Sequence, residues 1–174
     1  AGARETATEV AKRVRALGMG DFSEYCDYLL CPEGLAAELS HMLDVVTTNK
    51  TEFFREKASL DRFVNLALPN LLREGKLGGS NRLRVWSAGC STGEEAYSLA
   101  ICLAESPLGK LPRGYSILAT DISTRVLEAA RLGVYQQEVI KPIPPDLRRK
   151  YLMRGKDSEQ GLVRVVPALR AMVT

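Results

Sequence analysis

The stretch RVWSAGCSTGEEAYSLAI, Arg84–Ile101, decides how this chain folds. Arg84 to Ala88 predict a short β-strand, and Gly93 to Glu105 predict an α-helix. In the turn between them, Gly89 and Gly93 let the backbone come close to a ligand where a Cβ would clash. The start of the helix offers free N–H groups to a polar or anionic ligand. The pattern predicts a ligand-binding turn, with an ordinary strand-to-helix turn as the alternative because GxGxxG is absent.

A second strand and helix follow the first pair. Tyr115 to Thr120 predict the strand, and Thr124 to Leu132 predict the helix. The order β-α-β-α is typical of a parallel sheet with right-handed crossovers. Ser91 and Thr92 are natural caps for the first of these helices. We therefore expect an α/β domain from residue 82 onward.

Asp121 follows the second strand in the motif ILATDIS. In nucleotide-binding sheets an acid at this position accepts hydrogen bonds from ribose hydroxyls. The alternative role is the N-cap of the next helix, which Ser123 could also supply. The glycine turn and the acid together favour a nucleoside cofactor. Because only a dinucleotide needs a pyrophosphate cradle, the absent GxGxxG favours S-adenosylmethionine over NAD.

The regions on either side of this core differ from it in character. Residues 1–75 predict a helical N-terminal domain, and residues 76–81 predict a polar linker before the α/β domain of residues 82–174. Pro69 should end or kink the last of the N-terminal helices. Residues 136–174 predict a small β-rich insertion, because prolines and a short helical piece precede the strand-like run Leu162–Val166. The predicted N-terminal helices run to about Leu17, then over Phe22–Leu30, Gly34–Val46 and Leu60–Glu74.

Composition excludes several classes of function. The chain has 174 residues, 45% of them hydrophobic and 26% charged, which suits a globular core. A net charge of +3 is too small to indicate a nucleic-acid partner. We expect no membrane insertion, since no apolar run approaches the roughly 20 residues that a bilayer span needs. Four cysteines without a CxxC pair and a single histidine indicate no metal site and reduced thiols in the cytoplasm.

A third motif, TTNKTEFFRE, covers Thr47 to Glu56. Two adjacent phenylalanines sit between polar and charged residues. They could form a helix junction in the core. The segment could equally be a polar lid whose Asn49, Thr51 and Arg55 face a cofactor pocket.

Together, TTNKTEFFRE, RVWSAGCSTGEEAYSLAI, and ATDIS followed by VLEAARLGVY resemble the glutamate O-methyltransferases of chemotaxis receptors. The tail, RRKYLMRG through GLVRV, resembles the small β-subdomain of that family. The resemblance covers the chain from about Val10. It implies a helical domain followed by a Rossmann-like methyltransferase domain, which this chain holds in part. The implied reaction esterifies receptor glutamates with S-adenosyl-L-methionine and releases S-adenosyl-L-homocysteine.

The resemblance also implies roles for individual residues. Asn49, Thr51 and Arg55 match cofactor contacts, with Arg55 near the methyl group as the residue that orients the reaction. Glu95 matches another cofactor contact, and Asp121 matches the ribose acid. Gly89 joins this set through the turn described above. For Arg55 the alternative is a surface salt bridge with one of two glutamates, Glu52 or Glu56.

The expected partner is the acidic cytoplasmic domain of a chemotaxis receptor. A basic first helix with Lys12, Arg13 and Arg15 would attract it. The strand Leu162–Val166 of the β-subdomain could pair an exposed edge with a receptor tail. One alternative function is a non-catalytic module that senses S-adenosylmethionine or docks on receptors. A nicotinamide-dependent oxidoreductase is disfavoured by the missing GxGxxG, and a nucleic-acid binder by the low charge.

Overall fold

A computed structural model describes residues 2–46, 50–75, 77, 82–110, 114–155 and 161–174. Contacts divide the chain into two compact units. One comprises Ala1–Asn49 with Ile122–Arg125, and the other comprises Lys50–Asp121 with Val126–Thr174. Residues 50–75 are thus grouped with the α/β unit. The linker predicted at residues 76–81 lies outside the described residues except for Leu77, and the domain boundary there stays a prediction.

Three helices form the first unit: α1 (Gly2–Ala16), α2 (Phe22–Leu30) and α3 (Pro32–Val46). The Asp21 carboxylate is the N-cap of α2 and accepts the Glu24 N–H at 3.0 Å. The predicted helices are confirmed within a few residues at each end.

An ion pair holds α1 against α3. Glu38 is only 1% exposed, and it accepts from Arg13 Nε and Nη2 at 2.7 Å each. The Tyr25 hydroxyl donates to the same carboxylate at 3.3 Å. Because a buried carboxylate is costly unless it is paired, loss of the Arg13 contact would leave an uncompensated charge between α1 and α3. On α3, Leu35 and Leu39 are left 45% and 43% exposed.

The second unit opens with a helix interrupted near Pro69. Helix α4 (Lys57–Arg62) passes through a π-helical turn (Phe63–Ala67) into α5 (Leu68–Arg73). The Leu68 N–H donates to the Phe63 carbonyl, five residues earlier. Pro69 was expected to end or kink the helix, since it lacks an N–H and crowds the preceding turn. In the structure the regular α-helix is interrupted by the wider π turn, and Pro69 lies in the first turn of α5.

A parallel sheet is the centre of this unit. Strand β1 (Leu83–Ala88) pairs with β2 (Tyr115–Thr120) from Leu83 opposite Tyr115 to Ala88 opposite Thr120. On the other side of β2, residues 172–174 pair in parallel: the Ile117 N–H donates to Met172 O and the Ala119 N–H donates to Thr174 O, both at 2.8 Å. Helices α6 (Glu94–Glu105) and α7 (Thr124–Leu132) follow the two strands. The predicted β-α-β-α order is therefore confirmed.

Only one face of this sheet is buried. On the buried face, residues of β1 and β2 pack in the same core as α6. On the opposite face, Trp86 and Leu118 are 67% and 52% exposed. Across the described residues, no helix is long and apolar enough to cross a membrane. The residues that β1, β2 and α6 contribute to this core are Leu83, Ala96, Tyr97, Ala100, Ile101, Leu103, Tyr115 and Ile117.

A small antiparallel sheet is formed by residues that follow α7 in the chain. It contains β3 (Val134–Gln136), β4 (Leu152–Arg154) and β5 (Leu162–Val165) in the order β3-β5-β4, with the short helices α8 (Pro145–Tyr151) and α9 (Pro167–Arg170). Strand β5 is central and pairs on both sides. The prediction that the strand Leu162–Val166 offers an exposed edge is therefore wrong, because its neighbours occupy both rows of backbone groups.

Candidate functional site

The turn after β1 is fastened to the carboxyl end of β2. The N–H groups of Gly89 and Cys90 both donate to the Thr120 carbonyl, at 2.8 and 2.9 Å. The Ser91 N–H donates to Asp121 Oδ2 at 2.8 Å. The two features singled out in the sequence, the glycine turn and the acid after the second strand, thus meet in one place.

Three residues of this turn have left-handed backbone: Gly89 (φ 79), Ser91 (φ 49) and Gly93 (φ 97). A Cβ on Gly89 would meet nothing within 4 Å, so a ligand can approach the backbone there. A Cβ on Gly93 would lie 3.0 Å from both Ala130 Cβ and the Tyr135 hydroxyl. The sequence assigned both glycines to ligand approach. In the structure Gly89 suits that role, whereas Gly93 is required by packing.

The N-cap residue of α6 differs from the two caps that the sequence predicted. Gly93 occupies the N-cap of α6 with no side-chain capping bond, so Ser91 and Thr92 are not the caps. The reason is the left-handed turn, which carries the Thr92 hydroxyl to the Glu94 carboxylate. Thr92 Oγ1 donates to Glu94 Oε2 at 2.6 Å.

Two adjacent glutamates at the start of α6 have different environments. Glu94 is buried, and burial raises the pKa of its carboxyl above the usual range. Glu95 is exposed, and its Oε1 accepts from the Ser87 hydroxyl at 2.5 Å. Both lie in the first turn, where the helix dipole favours negative charge. Ser87 therefore holds the Glu95 carboxylate beside the glycine turn.

The thiol in the turn is not a nucleophile at neutral pH. Cys90 is fully buried, and burial, together with the negative charge of Asp121, raises the pKa of its thiol to about 11. The neutral side chain packs beneath the turn.

The segment around Arg55 places Phe53 in the core, as the helix-junction interpretation predicts, and the polar-lid interpretation stays a prediction. Phe53 is buried, and its ring meets Tyr135 edge-on with centroids 4.9 Å apart. Arg55 is exposed, and its Nη1 donates to the Lys50 carbonyl at 2.9 Å. Thr51 is half-buried. Within the described part of the chain, neither neighbouring glutamate forms the salt bridge weighed as an alternative. Asn49 lies outside the described residues.

Tyr135 was not singled out by the sequence analysis. Its hydroxyl donates to the Thr92 carbonyl at 2.8 Å, and its ring also meets Tyr97, with centroids 6.3 Å apart. Burial raises the pKa of its phenol far above the usual range, so it stays a neutral donor. Tyr135 lies on β3, 43 residues from Thr92. A pattern of local spacing carries no signal for such a contact.

Ser98 was also missed. It is 1% exposed on α6 and accepts the Phe54 N–H at 2.9 Å. It also donates to the Glu94 carbonyl at 2.6 Å. A serine inside a helix is expected to bond back to a carbonyl one turn earlier, but nothing in the sequence connects it to a residue 44 positions away.

These features define a nucleoside-binding class of α/β protein. A parallel sheet ends in an open glycine turn, and the carboxylates of Asp121 and Glu95 are fixed beside it. Open backbone and carboxylate acceptors fit a ligand that carries hydroxyl and amino groups, as an adenosyl cofactor does.

Comparison with known proteins gives the family. Residues 49–174 match the family described as CheR methyltransferase, SAM binding domain. This chain belongs to the CheR methyltransferase family, and the family predicted from the three sequence motifs is confirmed.

Individual relatives agree with the family match. The chain is 42% identical over 156 residues to the chemotaxis protein methyltransferase of Salmonella typhimurium, covering 90% of this chain and 50% of that protein. It is 39% identical over 166 residues to chemotaxis protein methyltransferase 2 of Pseudomonas aeruginosa, covering 95% and 56%. The Escherichia coli chemotaxis protein methyltransferase is 40% identical over 156 residues, covering 90% and 51%. The chain thus spans about half the length of the curated relatives it matches.

Proposed function

We propose that this chain forms the cofactor-binding part of a Rossmann-like, S-adenosylmethionine-dependent methyltransferase that esterifies glutamates of chemotaxis receptors. The matched domain is the family's S-adenosylmethionine-binding one, and the relatives are chemotaxis protein methyltransferases. One structural observation carries the proposal. The 2.8 Å bond from the Ser91 N–H to Asp121 joins the open turn and the strand-end acid in one site.

The described residues supply distinct parts of this cofactor site. Asp121 accepts from the ribose hydroxyls, as an acid at this strand end does in related sheets. Gly89 leaves room for the cofactor against the backbone. Glu95, held by Ser87, supplies a second carboxylate. Asn49 and Thr51 are assigned to cofactor binding on the family resemblance of their motif.

When bound, S-adenosylmethionine supplies a methyl group on a positively charged sulfur. The accepting glutamate has an ordinary pKa of about 4.3, so it is already an anion at neutral pH and needs no general base. The protein's contribution is alignment of the carboxylate with the methyl group, which can be worth about 7–11 kcal/mol. The products are a neutral methyl ester and S-adenosyl-L-homocysteine.

Arg55 is the residue we assign to alignment. Its guanidinium is exposed, and Nη1 is held by the Lys50 carbonyl. A guanidinium has five N–H donors, so the fork can still receive a carboxylate in two-point geometry. A tight ion pair would weaken the nucleophile, and Arg55 therefore acts as a positioner.

Recognition of the acidic receptor is assigned to fewer basic residues than the sequence suggested. The charge of Arg13 is used within the helical unit, in its bond to Glu38. Lys12 pairs with Glu9 at 2.7 Å in an exposed contact that contributes little to stability, so the ammonium remains accessible. The Arg15 Nε donates to the Ala11 carbonyl, and within the described part of the chain no carboxylate forms an ion pair with this guanidinium. Arg15, with Lys12 beside it, is the proposed attraction for the receptor in the cytoplasm.

A receptor tail would have to use a different strand from the one predicted. Since β5 is paired on both sides, strand addition is possible only at β3 or β4, the outer strands of the small sheet. Met153 on β4 is 42% exposed and offers an apolar contact there.

The proposed function is tested with calorimetry and methyl transfer. S-adenosylhomocysteine should bind the chain, whereas NADH should not. Labelled methyl groups from S-adenosylmethionine should appear on a receptor cytoplasmic fragment and be released as methanol by mild base. Binding without transfer would favour the sensing or docking module. Absence of binding would refute the cofactor assignment for this chain.

A further inference from the structure

The turn that carries Arg55 is held in an unusual conformation. Phe54 has a φ of 56°, in the left-handed region that a bulky residue rarely adopts. Such backbone is strained and persists only where the surroundings determine it. Phe53, before it, is buried against Tyr135, and Arg55, after it, is exposed. Some contact must keep this conformation.

Ser98 supplies that contact. Its hydroxyl accepts the Phe54 N–H at 2.9 Å and donates to the Glu94 carbonyl at 2.6 Å. The Ser98 hydroxyl thus accepts one hydrogen bond and donates another at the same time, which an alanine at this position could not do. The side chain is almost completely buried, so water cannot readily replace it.

We propose that Ser98 is a positioning residue, which locks the Phe54 turn onto α6 and thereby fixes the backbone of Arg55 for cofactor and substrate. This proposal rests on the proposed function for the role of Arg55. It also makes a claim about the turn that can be measured without any ligand. Misplacement of a positioning group by about 1 Å can cost a factor of about 100 in rate, so a small release of this turn matters.

The chain contains a matched control on the same helix. Ser106 is also buried, and its hydroxyl donates to the Leu103 carbonyl at 2.6 Å and accepts the Leu108 N–H at 3.2 Å. It is the C-cap residue at the far end of α6, and like Ser98 it accepts one backbone N–H and donates to one backbone carbonyl. Ser98→Ala and Ser106→Ala remove the same chemical group, and only Ser98 contacts the Phe54 turn. The melting temperatures of the two variants give the stability that each change costs.

The first measurement is amide hydrogen exchange of Phe54 and Arg55 in the full chain without ligand. Ser98→Ala should speed exchange of the Phe54 N–H about tenfold or more, while Ser106→Ala leaves it unchanged. Ser98→Cys keeps the size and a weak acceptor, so it should restore part of the protection. Unchanged protection of Phe54 in Ser98→Ala would overturn the proposal.

The second measurement is the affinity for S-adenosylhomocysteine. Ser98→Ala should raise Kd about tenfold, and Ser106→Ala less than twofold. Because Ser98 acts through Arg55, adding Ser98→Ala to Arg55→Ala should cause no further loss. Equal losses in the two serine variants, or additive losses with Arg55→Ala, would overturn the proposal. A wild-type chain that fails to bind would refute the proposed function, and with it the functional role of Ser98, whereas the exchange experiment would still decide whether Ser98 holds the turn.

Discussion

The ribose role of Asp121 can be separated from its role in the turn. Its carboxylate accepts the Ser91 N–H at 2.8 Å, so replacement by alanine removes both a ligand contact and a bond within the site. Asp121→Asn is the sharper change. The amide retains an oxygen of the same position for the Ser91 N–H and loses the negative charge that the ribose hydroxyls would meet.

The expected magnitude follows from these bonds. A hydrogen bond to a charged group contributes about 1.5–3 kcal/mol, which corresponds to about a 10- to 150-fold change in Kd. Asp121→Asn should therefore weaken binding of S-adenosylhomocysteine by that factor with little change in melting temperature. Asp121→Ala should bind no better and should also melt earlier, because the Ser91 N–H loses its acceptor.

Calorimetry with two ligands tests this reasoning. The loss in Asp121→Asn should shrink to about twofold for an analogue that lacks the ribose hydroxyls, since the mutation and the ligand then remove the same bonds. An Asp121→Asn variant that binds S-adenosylhomocysteine as tightly as the wild type would show that Asp121 is only a clamp for the turn.

Three further predictions concern residues whose partners the structure reveals. Glu38→Gln should reduce the free energy of unfolding by about 1.5–3 kcal/mol, whereas Glu9→Gln, in an exposed ion pair within α1, should leave the melting temperature unchanged. The Arg13 hydrogen bonds hold the pKa of the Glu38 carboxyl below its usual 4.5 in the folded protein. This stabilisation is therefore present above about pH 4.5 and is lost as the pH falls through the lowered pKa of the folded state. Acid titration of Glu38→Gln should lack that loss. Arg15→Glu should slow receptor methylation and flatten its salt dependence at unchanged stability, and wild-type rates with the same salt slope would exclude steering by α1. Tyr135→Phe should weaken cofactor binding more than Tyr97→Phe, although each removes a buried hydroxyl bond to a carbonyl; similar affinities would limit Tyr135 to packing.

Much of the site could be read from local patterns. The period of apolar residues predicts both βα pairs, because the parallel strands are short apolar runs followed by helical spacing. Asp121 and Gly89 are candidates for the same reason, because a strand end and a turn are local features. The three motifs in order were specific enough to predict the family, which the comparisons confirm.

Partnerships between distant residues were decided only by the tertiary structure. The sequence presents Arg13 as part of a basic cluster, and only the packing of α1 on α3 shows that Glu38 neutralises it. The sequence also predicts a strand at Leu162–Val166, but it does not indicate that β3 and β4 pair with this strand on both sides. Tyr135 and Ser98 are ordinary residues until the fold brings them to Thr92 and Phe54. The physical reason is that spacing along the chain specifies which face of an element is apolar, whereas which elements meet depends on packing and on polar groups finding partners across long loops.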